Sequence, residues 1–187
     1  AASDVYKRQL SVGLYALDHP DQVEKLVLVG PGGLGRKVSW LLRLMSIPGV
    51  GELIYRPWLH DKIGMRRRIF HRPPDFLDDL LPELYRVRLL PGARTAMLRS
   101  VRSSISCWGL HRDQNILERL RDLPVPLMTV WGEKDSIIPI SHAESVREVL
   151  PGSIVYTVPD CGHWPQMEKH ELFNSLLSSF LGGTLQS

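Results

Sequence analysis

Cysteine is scarce in this sequence, which limits both its redox chemistry and its metal sites. Cys107 and Cys161 are the only two in 187 residues, and neither lies in a CxxC pair or at a metal-ligand spacing from a histidine. Disulfide frameworks and zinc sites are built from such spacings. We therefore expect no metal ion, no cofactor and no disulfide framework, and a reducing, cytoplasmic environment.

Long apolar runs and a broad basic stripe are also missing. The longest apolar run is much shorter than the roughly 20 residues that a membrane helix needs. The formal charge is +3, from 23 Lys and Arg against 20 Asp and Glu. The densest basic cluster, within residues 66–72, is short, whereas a nucleic-acid surface is broader and carries interleaved aromatic residues. We expect a solvated helix face there, and neither a membrane nor a nucleic acid as a partner.

The opening residues do not show the pattern of the rest of the chain. The sequence begins without Met, and residues 1–9 have no clear hydrophobic period. Residues 3–9, Ser-Asp-Val-Tyr-Lys-Arg-Gln, resemble translated adapter sequence found in environmental gene fragments. We predict that residues 1–9 are a non-native tail and leave them out of the fold prediction.

The apolar runs that do occur are short and predict buried strands. Residues 25–30, 126–131 and 154–158 are rich in Val and Leu or Ile and are closed by turn residues. A helical pattern over residues 10–17 precedes the first run and ends before Pro20, because proline disfavours helical backbone in the residue before it. A helix leading into a continuously apolar strand is typical of an α/β protein with a parallel sheet.

Helical patterns also follow the second and third runs. Ser141 and Glu144 have the spacing of a capping box, which predicts a helix start at Ser141. Residues 168–181 carry one apolar stripe, as a helix that covers a sheet requires.

Residues 34–121 have a different character. Helical patterns interrupted by Pro-Gly and Pro-Pro breaks fill this stretch, and no strand signal interrupts about 85 residues. We predict three parts: the tail 1–9, a core formed by residues 10–33 and 122–187, and a helical insertion at 34–121.

An acid and a base follow two neighbouring predicted strands. Asp135 lies in the loop after strand 126–131, and His163 lies in the loop after strand 154–158. Sites in open α/β sheets form at the carboxyl ends of the strands, so both side chains should meet at one edge. A nucleophilic hydroxyl needs a base, and the imidazole needs a carboxylate to fix its tautomer. We predict that Asp135 orients His163 and that His163 transfers the proton.

The same residues carry a family resemblance. Trp131-Gly-Glu-Lys-Asp135 followed by Ile138-Pro139, and Cys161-Gly-His163-Trp-Pro-Gln-Met-Glu168, resemble the closing half of the α/β-hydrolase fold. Residues 16–30 resemble the helix and strand that follow the nucleophile in that family. The resemblance covers essentially residues 12–182. It implies the C-terminal part of an α/β-hydrolase fold, with a parallel sheet flanked by helices and residues 34–121 as a helical lid.

The resemblance also implies a nucleophile on a GxSxG elbow before residues 25–30, but the chain contains no GxSxG. The nearest sequence, Gln9-Leu-Ser11-Val-Gly13, lacks the first glycine and leaves too short a helix, and the family register falls near Tyr6. The oxyanion donors belong to the same missing part. We therefore expect a hydrolase fragment that lacks its nucleophile and is inactive as it stands.

Other polar residues are weaker candidates. Cys161 is close to His163 in sequence but is expected to pack under the loop, and Asp160 is expected to be a turn residue. We expect His142, in the first turn of a helix, to lie on the surface. Three further histidines have no i, i+4 partner for a metal ion: His60, His71 and His111.

Within the family, the ending Gly162-His163-Trp164-Pro165-Gln166 is similar to enzymes that hydrolyse carbon-carbon bonds in ring-opened aromatic compounds. That likeness implies that Trp164 lines the substrate pocket, and Trp108 corresponds to a lid Trp that faces the site. Packing over the last helix is an equal interpretation of Trp164. These enzymes hold the substrate carboxylate with a lid Arg. In this sequence the corresponding position falls near Glu83, and Arg86 is the nearest basic residue.

Several alternatives stay open. An ester or related acyl hydrolase acting on a small molecule is the general interpretation, and carbon-carbon hydrolysis is a special case of it. An Asp nucleophile would instead give an epoxide hydrolase or haloalkane dehalogenase. A binding protein that kept the fold without the triad is the non-catalytic alternative, and the sequence leaves homo-oligomerisation open.

Overall fold

The computed structural model describes residues 2–56 and 68–185 of the chain, with side chains from Gln9 onward. Within these residues, no helix is long and apolar enough to cross a membrane. The main sheet has three parallel strands in the order β1, β4, β5. Strand β1 is Leu26–Val29, β4 is Leu127–Gly132 and β5 is Ile154–Val158. All three lie within one residue of the predicted bounds.

Strand β4 is buried along its whole length because it lies between the other two strands and under helices on both faces. Leu127 and Trp131 point to one face, and Met128 and Val130 point to the other. On the first face, helix α1 (Ala2–Asp18) and helix α6 (Ser141–Val149) contribute core residues.

The other face of the sheet is covered by the last helix. Helix α8 (His170–Leu181) packs Phe173 and Phe180 against Met128, Val130 and Val158. A short helix, α7 (Pro165–Glu168), precedes it. The result is a parallel sheet flanked by helices, as predicted.

The described residues between β1 and β4 form several helices. They form α2 (Trp40–Ser46), α3 (Val50–Ile54), α4 (Leu77–Arg88) and α5 (Ala93–Arg102), and then two short 3₁₀ turns, Arg112–Gln114 and Arg119–Asp122. We call residues 34–121 the helical segment. Much of its interior is one apolar cluster contributed by α2, α5 and neighbouring residues: Val38, Met45, Leu98, Val101, Ile105, Leu110 and Ile138.

The prediction that no strand interrupts this segment is wrong. Strand β2 (Ile105–Ser106) pairs antiparallel with β3 (Gly109–Leu110). Gly109 has φ +110°, a backbone conformation that glycine adopts without strain, and a Cβ there would collide with the Arg36 carbonyl. Strands of two residues are too short to produce an alternating pattern that sequence reading can detect.

Three local predictions also need correction. Helix α1 extends from Ala2 to Asp18, well before residue 10, although it ends where predicted. Helix α6 begins at Ser141, but its N-cap is Ile140 and no side chain caps it, so the Ser141–Glu144 capping box does not form. The last helix begins at His170, because Lys169 leaves the helical conformation after α7. The tail 1–9 as a separate part stays a prediction.

Candidate active site

Asp135 lies in the turn that follows strand β4, as predicted. Its Oδ1 atom accepts hydrogen bonds from the backbone amides of Ile137 (2.8 Å) and Ile138 (2.9 Å). The main chain before it is fixed to the second loop, because the Lys134 amide donates to the Cys161 carbonyl at 2.9 Å. These bonds satisfy one carboxylate oxygen and leave Oδ2 to point elsewhere.

His163 lies in the loop after β5, and the structure brings it to Asp135. The distance from His163 Nδ1 to Asp135 Oδ2 is 2.7 Å, and both side chains are buried, with 2% and 0% of their surface exposed. The His163 amide donates to the Ile69 carbonyl at 2.7 Å, which fixes the backbone beneath the ring. The predicted meeting of the two residues at one edge of the sheet is therefore what the structure shows.

The other ring nitrogen of His163 has no hydrogen-bond partner among the described residues. Nε2 is buried and makes no hydrogen bond to any described residue. An ionised carboxylate only accepts, so the contact with Asp135 Oδ2 suits the tautomer that carries its proton on Nδ1, and that tautomer presents a lone pair at Nε2. A buried imidazole in this state can accept a proton from a hydroxyl placed at Nε2.

Gly30, the residue after strand β1, lies against the histidine ring. Its amide donates to the Val130 carbonyl at 2.8 Å, and it has φ +51°. A Cβ on Gly30 would lie 3.1 Å from both Nδ1 and the carbonyl oxygen of His163. The sequence marks Gly30 only as a turn residue, because its contact with the imidazole depends on the parallel pairing of β1 with β4.

Ser11 and Tyr6, the two positions considered for the nucleophile, both lie in helix α1. Ser11 is an exposed residue in the middle of helix α1, with helix on both sides of it. The side chain of Tyr6 lies outside the described residues. A nucleophile elbow is a sharp turn between a strand and a helix, so Ser11 does not occupy one.

Cys161 is buried beneath the histidine loop, as expected. Burial raises the pKa of its thiol from 9.0 to about 12, and the charge of Glu168 acts in the same direction. A thiol with this pKa is protonated at neutral pH and is a poor nucleophile. Cys161 therefore belongs to the packing of the loop.

The structure separates the two tryptophans predicted to line the pocket. Trp164 is 7% exposed and packs edge-on against Phe70, with 5.5 Å between ring centroids. Leu77 and Leu81 of α4 join this cluster, and the indole Nε1 atom of Trp164 has no described partner. Trp108 lies at the tip of the β2–β3 hairpin and is 79% exposed. A role in substrate binding stays a prediction for both.

Two basic residues of α4, Arg86 and Arg88, have different surroundings. Arg86 points outward and pairs with Glu83 through two bonds of 2.7 Å. The guanidinium of Arg88 lies 4.4 Å from the centre of the Tyr55 ring, and its Nη2 atom is shielded from solvent without a described hydrogen-bond partner. Of the two guanidinium groups, only that of Arg86 bonds a carboxylate among the described residues.

The prediction that His142 lies on the surface is wrong. Its side chain is buried, and a Cβ on Gly35 would approach the ring at 2.7 Å, so the glycine leaves the space that the imidazole fills. Neither ring nitrogen has a hydrogen-bond partner among the described residues, although the Lys37 backbone lies close by. Burial lowers the pKa of His142 from 6.5 to about 4, and the charge of Asp135 opposes this shift.

The remaining polar candidates give no second site. Asp160 is a turn residue with φ +48°, as predicted. His60 lies outside the described residues, and His71 and His111 are in separate parts of the helical segment. No group of three or more His, Cys, Asp or Glu side chains that could hold a metal ion occurs in the part of the chain that the structure describes.

Comparison with known proteins identifies a family and a curated relative. A sequence model of the alpha/beta hydrolase family matches residues 11–176. The 2-hydroxy-6-oxononadienedioate/2-hydroxy-6-oxononatrienedioate hydrolase of Comamonas testosteroni is 26% identical over 170 residues, which are 89% of this chain and 57% of that protein. The chain therefore spans little more than half the length of this curated relative.

Two solved structures have the same fold in the shared region. The 2-hydroxy-6-oxo-6-phenylhexa-2,4-dienoate hydrolase of a Rhodococcus species superposes with a TM-score of 0.74 at 17% identity, over 91% of this chain and 59% of its own. A serine hydrolase from the polyaromatic-hydrocarbon-degrading bacterium Cycloclasticus zankles gives a TM-score of 0.74 at 19% identity, over 96% and 62%. At these identities the likeness concerns the fold.

Proposed function

We propose that this chain, which belongs to the alpha/beta hydrolase family, contributes the acid and the base of a Ser-His-Asp triad to a hydrolase. Its substrate would be a small molecule with an ester, carbon-carbon or related acyl bond. The observation that carries the proposal is the buried 2.7 Å contact of His163 Nδ1 with Asp135 Oδ2. Nε2 of the same ring bonds none of the residues that the structure describes.

The geometry suits a two-step acyl transfer. A serine hydroxyl at Nε2 loses its proton to His163 as it attacks the carbonyl carbon of the substrate. His163 then gives that proton to the leaving group, and an acyl-enzyme remains. In the second step His163 takes a proton from water as the water attacks the acyl carbon, and it returns that proton to the serine oxygen as the acid is released. Asp135 holds the Nδ1 proton and stabilises the imidazolium throughout.

The nucleophile and the oxyanion donors would come from sequence outside the 187 residues. The chain has no GxSxG motif, and Ser11 is an exposed residue of a continuous helix. The matched relatives are longer than this chain, which leaves room for a strand and an elbow upstream. On this proposal the chain alone has the base in place and lacks the group that it activates.

The helical segment would be the lid of this hydrolase. It enters after β1, whose following Gly30 touches the His163 ring, and its helix α4 packs on Trp164, the residue after His163. The lid and the base therefore share a boundary. A substrate would lie between the lid and the missing part of the protein, next to Nε2.

A carbon-carbon bond in an unsaturated oxo acid is the substrate class that we favour within this proposal. The matched relatives are named as hydrolases of such acids. Arg88 offers this chain a feature of the right chemistry, because its Nη2 atom is shielded from solvent without a described partner. A guanidinium in this state gains most from a carboxylate ligand.

The test is to complete the gene upstream and assay the whole enzyme with aryl esters and with a ring-fission oxo acid. We expect turnover with at least one of them and a loss of about a thousandfold or more in kcat for His163→Ala. The matched control is His170→Ala, since His170 is an exposed histidine at the start of α8. Unchanged turnover in His163→Ala would refute the triad.

The same panel separates the alternatives. A covalent fluorophosphonate adduct on an upstream serine supports a serine nucleophile. An aspartate on the elbow, together with turnover of epoxides or haloalkanes, supports an epoxide hydrolase or a haloalkane dehalogenase. Arg88→Met should raise KM for the oxo acid and leave neutral aryl esters unaffected, while Arg86→Met should change neither. No turnover with any substrate and no adduct would favour a binding protein of this fold.

A further inference from the structure

The stretch of the helical segment that returns towards the core, Arg68–Arg72, touches the loops of both Asp135 and His163. The Ser136 hydroxyl, next to Asp135, donates to the Arg68 carbonyl at 2.6 Å. The His163 amide donates to the Ile69 carbonyl at 2.7 Å. We call Arg68–Arg72 the return stretch. It bonds to the residue beside the acid and to the base itself.

The carboxylate of Glu168 joins the return stretch to the loop of His163. Its Oε2 atom accepts from the amides of Gly162 (2.9 Å) and His71 (3.1 Å), and its Oε1 atom accepts from the amide of Arg72 (2.6 Å). Three backbone donors from two distant parts of the chain thus converge on one side chain.

The approach of the return stretch to the histidine loop depends on a glycine. A Cβ on Gly162 would collide with the Ile69 carbonyl and would lie 2.7 Å from the His71 amide nitrogen. Asp160, at the start of the same loop, faces Arg72 at 3.7 Å and His71 at 3.9 Å. Both contacts are exposed and weak, so the bonds to Glu168 carry most of this connection.

We propose that Glu168 is a positioning residue for His163, which it couples to the helical segment. By bonding Gly162 and the return stretch together, Glu168 keeps the His163 ring on Asp135 while the return stretch is docked. The catalytic meaning of this coupling rests on the proposed function, whereas the coupling itself does not. Movement of the helical segment would then change the position of the His163 ring.

A carboxylate is specifically suited to this position. It presents acceptors only, and three amide donors point at it, so each bond is assisted by its charge. Glutamine in its place keeps one acceptor oxygen and turns an NH₂ group towards amide donors. Alanine leaves all three amides without this acceptor.

The experiment uses the 187-residue chain itself, labelled with ¹⁵N, as Glu168→Gln, Glu168→Ala and the control Glu171→Gln. Glu171 is an exposed glutamate three residues further on. Two readouts are followed: the low-field Nδ1 proton of His163 in its bond to Asp135, and the exchange of the amides of Gly162, His71 and Arg72.

We expect Glu168→Ala to speed exchange at all three amides by about tenfold or more and to broaden or remove the low-field proton signal. Glu168→Gln should have the same effects in weaker form, and Glu171→Gln should have none. Circular dichroism and unfolding midpoints verify that each variant is folded. If Glu168→Ala does not fold, the same two readouts are taken from the isosteric Glu168→Gln variant alone.

Faster exchange at His71 and Arg72 alone, with Gly162 and the His163 proton unchanged in both variants, would overturn the coupling. So would the absence of the low-field proton from the unmodified chain. The outcome is separate from the proposed function: if the completed enzyme tolerates His163→Ala while the Glu168 variants still disturb the His163 proton, the triad is wrong and the coupling stands.

Discussion

Two buried histidines, His163 and His142, interact with the charge of Asp135, but their surroundings differ. His163 bonds the carboxylate directly through Nδ1. His142 has no hydrogen-bond partner among the described residues and sits in the space left by Gly35, with the charge of Lys37 opposing its protonation. A buried imidazole without a partner stays neutral, because burial penalises the charged form. For His142 the cost of burial therefore outweighs the favourable charge of Asp135, and the protonated ring is disfavoured on balance.

This environment predicts a loss of stability in acid. The pKa of His142 is about 4 in the folded protein against 6.5 in an unfolded chain. The contribution of neutral His142 to the free energy of unfolding is fully present above pH 6.5 and is lost as the pH falls towards 4. In this range the unfolded chain binds a proton at His142 and the folded chain does not. The difference corresponds to about 3 kcal/mol. Urea unfolding followed from pH 7 to pH 4 measures it.

The variant His142→Leu isolates this contribution. Since neither ring nitrogen makes a described hydrogen bond, leucine removes no such bond, and we expect the free energy of unfolding at pH 7 to change by less than about 1.5 kcal/mol. Towards pH 4 the variant should become more stable than the unmodified chain. His170→Leu, on the exposed surface, should leave the pH profile unchanged. Parallel profiles for His142→Leu and the unmodified chain would contradict the assignment.

At the scale of elements, the site depends on how closely the end of strand β4 approaches the histidine loop. Gly132, the last residue of β4, faces the carbonyl groups of Cys161 and Gly162, and a Cβ there would collide with both. The Glu133 amide donates to the Val158 carbonyl at 2.9 Å and holds the two strand ends together just beyond this point. Any side chain at 132 must push the loop of His163 away from β4.

We therefore expect Gly132→Ala to lower the free energy of unfolding by about 1–3 kcal/mol or more. It should also weaken the contact between His163 and Asp135. Gly152→Ala is the matched control, because a Cβ at Gly152 meets nothing within 4 Å, and it should change stability by less than about 0.5 kcal/mol. Urea unfolding and the His163 Nδ1 proton report the two effects. Equal stability of the two variants would show that the loop can move aside freely.

The sequence was sufficient to predict the elements that carry strong local patterns. Three short apolar runs bounded by turn residues became the three strands of the sheet, and the loops after β4 and β5 delivered Asp135 and His163 to one edge. The family resemblance and the α/β fold were confirmed by the match over residues 11–176. These predictions succeeded because each depends on periodicity or on a motif within a few residues.

Features that depend on distant contacts could not be read in this way. The burial of His142 follows from the space left by Gly35, more than 100 residues earlier. The bonds of Glu168 reach back to His71 and Arg72, and no local pattern marks a glutamate as the acceptor of remote amides. The β2–β3 hairpin was missed because two-residue strands have no period to detect.

At the scale of the whole molecule, the two sides of strand β1 differ. The amides of Leu26 and Gly30 donate towards β4, to the Pro126 and Val130 carbonyls. The alternation of a strand therefore turns the amides of Val27 and Val29 to the opposite side. In the described part of the chain, β1 has a strand neighbour only on the β4 side, and the Val29 amide is bonded by the side chain of Gln9 at 3.2 Å.

An apolar edge strand of this kind is a surface on which another strand can pair. We expect the 187-residue chain to self-associate as its concentration rises, and Gln9→Ala to strengthen the association by freeing the Val29 amide. Gln22→Ala is the control, since the exposed Gln22 side chain accepts a hydrogen bond from the Tyr15 hydroxyl and none from a β1 amide. Sedimentation velocity at several concentrations measures the effect. If Gln9→Ala sediments as the unmodified chain does at every concentration, the open side of β1 is not the surface through which copies pair.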